Sequence, residues 1–206
     1  MTQCKEKSKR SDIVMGIALG IISCALSLVL FAVLLDRLLL SRFDDAFLSV
    51  SMRLLLSLIL FQILWSLFKK SLIKPVFWIS GLFYCLLLLY VVMIRTSGRT
   101  GVNLNPFTII HDFMTIPFYP ISNFLFFIPV GFFVGYVFRK KIPGMLYLSG
   151  FVVSLILEVF QLIFQLGIFD ITDIILNGSG FAVGVWLFVT ICRNPKVSVL
   201  FMGNNV

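Results

Sequence analysis

The sequence predicts an all-α polytopic integral membrane protein: a bundle of about six transmembrane helices, both termini cytoplasmic, with a long apolar outside loop between the third and fourth spans. Three observations predict it. Of the 206 residues, 60% are hydrophobic and 13% are charged, the latter about half the share of an ordinary soluble domain. Those percentages put roughly 124 residues in the apolar set, and six spans of about 20 residues take up about 120. The cations, finally, fall in short clusters between long apolar runs. A soluble domain of this size would expose patches large enough to associate, which excludes a soluble enzyme, a disordered chain and a disulfide-stapled secreted domain.

The elements follow in order. Residues 13–35 form the first apolar run, behind Lys5, Lys7, Lys9 and Arg10. It is too long for the core of a cleaved signal peptide and reads as a retained signal anchor. The second run, about 47–68, is interrupted by Arg53, whose guanidinium is expected to snorkel outward. Residues 76–94, about 118–138, 145–168 and about 173–192 supply four more. Stretches such as Leu86-Leu87-Leu88-Leu89 lack period-two alternation, and only helices satisfy their own backbone within lipid. Pro129 is expected to kink the fourth span, where Gly131 and Gly135 favour close packing. The organisation expected is an N-terminal helix pair over 1–74, a four-helix membrane domain over 75–192 and a short cytoplasmic tail over 193–206.

Charge sets the orientation. Seventeen Lys and Arg against nine Asp and Glu give a net charge of +8. The connections that include both termini hold twelve cations: Lys5, Lys7, Lys9, Arg10, Lys69, Lys70, Lys74, Arg139, Lys140, Lys141, Arg193 and Lys196. The opposite connections hold four: Arg37, Arg42, Arg95 and Arg99. The bias places both termini inside, and a basic balance of this origin implies no nucleic-acid partner. Cys4, Cys24, Cys85 and Cys192 contain no Cys-x-x-Cys pair and read as neither disulfide nor metal ligands. The outside connection over 95–122 is long, contains Pro106, Pro117 and Pro120, and carries Leu104, Phe107, Ile109, Ile110, Phe113, Met114, Ile116, Phe118 and Tyr119. A loop so apolar is expected on the membrane surface or folded back among the helices.

The informative residues are the polar ones inside apolar runs, because an ionisable group there costs about 2.5–3.5 kcal/mol on insertion scales. Ser154, Glu158, Gln161 and Gln165 are spaced four, three and four apart, which predicts one helix face. Glu158 is expected about 15 Å below the end of its span at residue 168. Asp173, Asn177, Gly180 and Gly184 repeat the same spacing in the sixth span, the two glycines allowing close backbone approach. Asp170 and Thr172 sit where an N-cap is needed. With Asn123 at the head of the fourth span, and Arg95 and Arg99 after the third, all these groups converge on the outer side.

Four pieces, in this order, resemble the VanZ-like family of bacterial membrane proteins. They are Arg99 through Phe107, Asn123 through Gly131, Glu158-Val-Phe-Gln161, and Asp170-Ile-Thr-Asp173-Ile-Ile-Leu-Asn177 followed by Gly180 and Gly184. The resemblance covers about 76–192. It implies an association with resistance to teicoplanin, a lipid-bearing glycopeptide acting on peptidoglycan precursors outside the cell. It also carries the family's polar positions onto Arg99, Asn103, Asn123, Glu158, Gln161, Asp170, Asp173 and Asn177. The expectation is a multi-pass protein of the bacterial cell membrane whose outer-leaflet polar pocket binds, or alters access to, a lipid-linked envelope component or lipoglycopeptide. No cofactor and no metal is expected. Two other classes stay open. One is a membrane enzyme acting on a lipid-linked substrate at the outer face, with Glu158, Asp170 and Asp173 as acid, base or ligands to a hard cation. The other is a small transporter or flippase.

Overall fold

The computed structural model describes residues 2–32, 46–94, 100–139, 144–194, 197 and 201. Six of its helices are long and apolar enough to cross a membrane: Arg10–Leu30, Ala46–Lys69, Lys74–Met93, Phe118–Val137, Leu146–Ile163 and Ile171–Cys192. The chain is a multi-pass helical membrane protein, as its hydropathy requires. It divides into two compact units, Met1–Phe83 and Tyr84–Val206.

The first unit contains α1 (Thr2–Leu30), α2 (Ala46–Lys69) and the opening turns of α3 (Lys74–Ile94). A seam of small polar side chains joins α1 to α2. The Ser27 hydroxyl donates to the Arg53 carbonyl at 2.8 Å, and Cys24 Sγ lies 3.1 Å from Ser57 Oγ. Gly16 faces the ring of Trp65, and Asp12 pairs with Lys69. Residue numbers fall on one helix as they rise on the other, so the two run antiparallel. Hydroxyls on a helix remain affordable in lipid when they return to a backbone carbonyl, as Ser23 does to Leu19 at 2.7 Å. The guanidinium of Arg53 lies over the Phe31 ring, 4.7 Å from its centroid, where the ring's negative face offsets part of the cost of placing a cation there.

The second unit is built on α7 (Ile171–Cys192), with α5 (Phe118–Val137) and α6 (Leu146–Ile163) on either side. Glycines determine how closely they approach. A Cβ at Gly180 would stand 2.0 Å from the Phe124 carbonyl oxygen, and one at Gly184 2.1 Å from that of Ile128. Reciprocally, a Cβ at Gly131 would stand 2.0 Å from the Phe181 carbonyl. Numbers rise together on α5 and α7, so these helices are parallel and in backbone contact, close enough for Cα–H···O interactions. On the other flank Gly150 faces Phe181 and Gly178 faces Phe151, giving α6 an antiparallel course. Phe127, Leu146, Phe181 and Val185 close the core between them. From the tail, Phe201 packs edge-on against Phe132 and Phe188. Pro129 lies inside the continuous α5; near it the Tyr84 hydroxyl donates to the Phe126 carbonyl at 2.8 Å.

The fifth span is shorter than its apolar run suggests. α6 ends at Ile163, not 168, because Gln165 takes a left-handed conformation, φ 55°. The Leu166 amide then donates back to the Gln161 carbonyl at 2.8 Å and the Gln165 amide to that of Leu162 at 3.2 Å, which satisfies carbonyls the helix end would otherwise orphan. The freed residues Ile168–Asp170 become a short strand, β2, paired in parallel with β1 (Gly101–Asn103). The sixth span correspondingly begins at Ile171, ahead of Asp173. Between β1 and α5 lies an eight-residue helix, α4 (Thr108–Thr115).

Candidate functional site

The parallel course of α5 and α7 brings their N-termini to the same end of the second unit as the C-terminus of α6. The β1–β2 pair closes over that end, and the polar residues of four separate chain segments meet there.

Asp170 is the junction. Its backbone is extended, and it caps α7: one carboxylate oxygen accepts from the Thr172 amide and the Thr172 hydroxyl, each at 2.8 Å. The other oxygen accepts from the Asn103 side-chain amide at 3.1 Å. Asn103 also donates to the Thr108 hydroxyl at 3.0 Å, and its own oxygen accepts from the Asn105 amide. The Asp170 amide in turn donates to Glu158 Oε2 at 2.9 Å. Glu158 is 3% exposed, so this bond helps meet the demand of a carboxylate withdrawn from solvent. Such a reach is possible because α6 ends early. Glu158 lies only five residues from Ile163, about 7.5 Å along the axis rather than the 15 Å that a span running to 168 implies.

Asp173, in the first turn of α7, is the second focus. Its carboxylate accepts from the Tyr119 hydroxyl at 2.8 Å and from the Asn123 side-chain amide. Tyr119 and Asn123 are one turn apart on α5, so the two donors converge on one acceptor. Asn123 is buried, whereas Asp170 and Asp173 are only half-buried, leaving the carboxylates at the edge of the cluster.

The structure therefore joins Asn103, Glu158 and Asp170 in one hydrogen-bonded set and Asn123 and Asp173 in a second, the two aspartates being three residues apart. Gln161 is placed differently: its amide donates to the Val92 carbonyl on α3 at 3.0 Å. Asn177 sits deeper, its amide donating to Ser154 at 3.0 Å between α6 and α7 and its oxygen buried without a partner among the described residues. The facing stripes of α6 and α7 thus touch at Ser154 and Asn177, but Gln165 leaves the stripe, because it lies beyond the helix end and is exposed. Arg99 lies outside the described residues. Among the described residues, no three His, Cys, Asp or Glu side chains come together to hold a metal ion. Tyr119 and Thr108 are members that sequence reasoning missed. The four-residue spacing of Tyr119 and Asn123 was the available signal, masked because Tyr119 reads as one of the apolar residues of the 95–122 connection.

A family model described as VanZ/LLP1 matches residues 24–193. The match begins well before 76, so it takes in α2 and the end of α1 as well as the segments that carry the polar motifs. No curated protein and no solved structure matches the chain.

Proposed function

The chain belongs to the VanZ/LLP1 family, and from that premise we propose that its polar cluster recognises the head group of a lipid-linked cell-envelope component on the outer leaflet, lowering the access of a teicoplanin-type lipoglycopeptide to its target. One observation carries the reading: carboxylates and amides from β1, α5, α6 and α7 meet at a single end of the second unit with Asp170 and Asp173 half-exposed. Helix packing alone is served by isolated pairs such as Ser154–Asn177. It does not call for two neighbouring hydrogen-bonded sets, centred on Asp170 and Asp173, that draw on four segments and present acceptors at their edge.

The same geometry favours recognition over bond-making. Each aspartate accepts from two side chains that it also holds in place, Thr172 and Asn103 for Asp170, Tyr119 and Asn123 for Asp173. Fixed acceptors of this kind suit a ligand rich in hydroxyl or amino groups.

The test is the pair Glu158→Gln and Asp173→Asn, which remove charge while conserving shape. Cells carrying either variant at wild-type membrane abundance are expected to lose protection against teicoplanin and to bind more fluorescent teicoplanin, with susceptibility to vancomycin, which has no lipid tail, much less affected. Full protection from both variants at equal abundance overturns the proposal.

A further inference from the structure

The helix between β1 and α5 has two unlike sides. In α4 a rotation of about 100° per residue sets Thr108, His111 and Thr115 along one side and Ile110, Phe113 and Met114 along the other. The apolar side is not covered by protein among the described residues: Ile110 is 53% exposed, Phe113 44% and Met114 81%. The polar side is engaged at its first residue, where the Thr108 hydroxyl accepts from Asn103.

The position of α4 is fixed by its neighbour. Only Ile116 and Pro117 separate it from α5, and both ends of that link are bonded. The Ile116 amide donates to the Asp112 carbonyl at 2.8 Å and the Tyr119 amide to the Ile116 carbonyl at 3.0 Å. α5 is a membrane span, so its first turn lies at the bilayer surface, and α4 has no slack to leave that level. Exposed apolar side chains continue onto α5 at Ile121 and Leu125.

We propose that α4 is an interfacial helix. Its apolar side is seated in the acyl boundary of the bilayer that α5 crosses, and its polar side meets the head groups. Lipid is the occupant these features select, because the uncovered side chains adjoin a surface that must itself face lipid. Water would leave the apolar side exposed at the membrane surface. The consequence for the site is positional: through Thr108 and Asn103, α4 holds Asp170 at head-group depth. The inference does not depend on what the cluster binds.

The experiment is nitroxide scanning of the full chain in phosphatidylglycerol–phosphatidylcholine vesicles. Labels are placed by Phe113→Cys, Met114→Cys, His111→Cys and Thr115→Cys in a background with Cys4, Cys24, Cys85 and Cys192 changed to serine. The ratio of collision rates with oxygen and with a water-soluble nickel chelate is expected to be several-fold higher at 113 and 114 than at 111 and 115. Equal ratios at all four positions, low as in water or high as within the acyl core, would overturn the proposal. Low collision rates with both reagents at 113 and 114 would mean coverage by protein, a second copy included, and would equally overturn it. If the cysteine-free chain does not fold, the unaltered protein is labelled from a photoactivated carbene on a lipid chain and read by mass spectrometry. Label on Met114 at a level comparable to Leu125 supports the proposal. Its absence at Met114 with Leu125 labelled overturns it.

Discussion

Gly180→Ala tests the central packing argument directly. The added methyl would stand 2.0 Å from the Phe124 carbonyl oxygen, backbone that no rotamer change can move, whereas ordinary contact begins near 3.4 Å. The difference, 3.4 minus 2.0, is about 1.4 Å, which α5 and α7 must absorb by separating. A gap of 0.5–1 Å already forfeits about a quarter to a half of a dispersion contact. Overpacking of this kind costs about 1–3 kcal/mol. The separation also acts on the site. The Tyr119–Asp173 bond, 2.8 Å now, would lengthen by up to the same amount and pass out of hydrogen-bonding range. A hydrogen bond to a charged group is worth about 1.5–3 kcal/mol. The assay is reversible unfolding in mixed micelles, with Gly20→Ala as control, since a Cβ there meets no atom within 4 Å. Gly180→Ala is expected to lower stability by about 2–4 kcal/mol, less than the simple sum because helix and bond are lost together, while Gly20→Ala leaves it unchanged or raised. A double-mutant cycle adds Tyr119→Phe. That change is expected to be costly in the native background and nearly neutral in Gly180→Ala. Native stability for Gly180→Ala, or an undiminished Tyr119→Phe effect within it, refutes the reasoning.

Two further outcomes follow from local geometry. Gln165 holds a left-handed conformation that glycine adopts without strain, so Gln165→Gly is expected to raise stability by about 0.5–1 kcal/mol in the same unfolding assay; a loss would show that the Gln165 side chain contributes more than its backbone strain costs. Asp170→Ala removes the α7 cap and the acceptor for Asn103 together. A cost of about 1–3 kcal/mol is expected, accompanied by faster hydrogen exchange at the Thr172 amide; unchanged exchange there would contradict the capping role.

The spans were legible because hydropathy over twenty residues is a bulk property, and the glycines because their four-residue spacing survives in the helix. The fifth span misled for the same reason. Phe164, Leu166 and Ile168 continue the apolar run, and hydropathy does not register that Gln165 turns the backbone. Once the helix ends there, Gln165 leaves the face it shares in a helical projection, and Glu158 rises toward the end of α6. The polar cluster was legible as residue types but not as pairings. Nothing local to Gly101–Asn103 indicates a strand, since its partner lies at Ile168–Asp170. Gln161 read as part of the same cluster because it shares a face with Glu158; its bond to Val92 depends on where α3 ends up, which spacing along one helix does not encode.

The pairing of β1 with β2 also bears on how the protein is made. Asn103 and Asp170 are 67 residues apart, and the second strand is synthesised only just before the last span. Until then β1 presents an unpaired edge, and Asn103 has no aspartate to receive its amide. The nascent chain therefore carries β1, α4, α5 and α6 before it carries the strand that pairs with β1. A product truncated before Ile168 would lack that partner strand and expose the bare edge of β1 at the membrane.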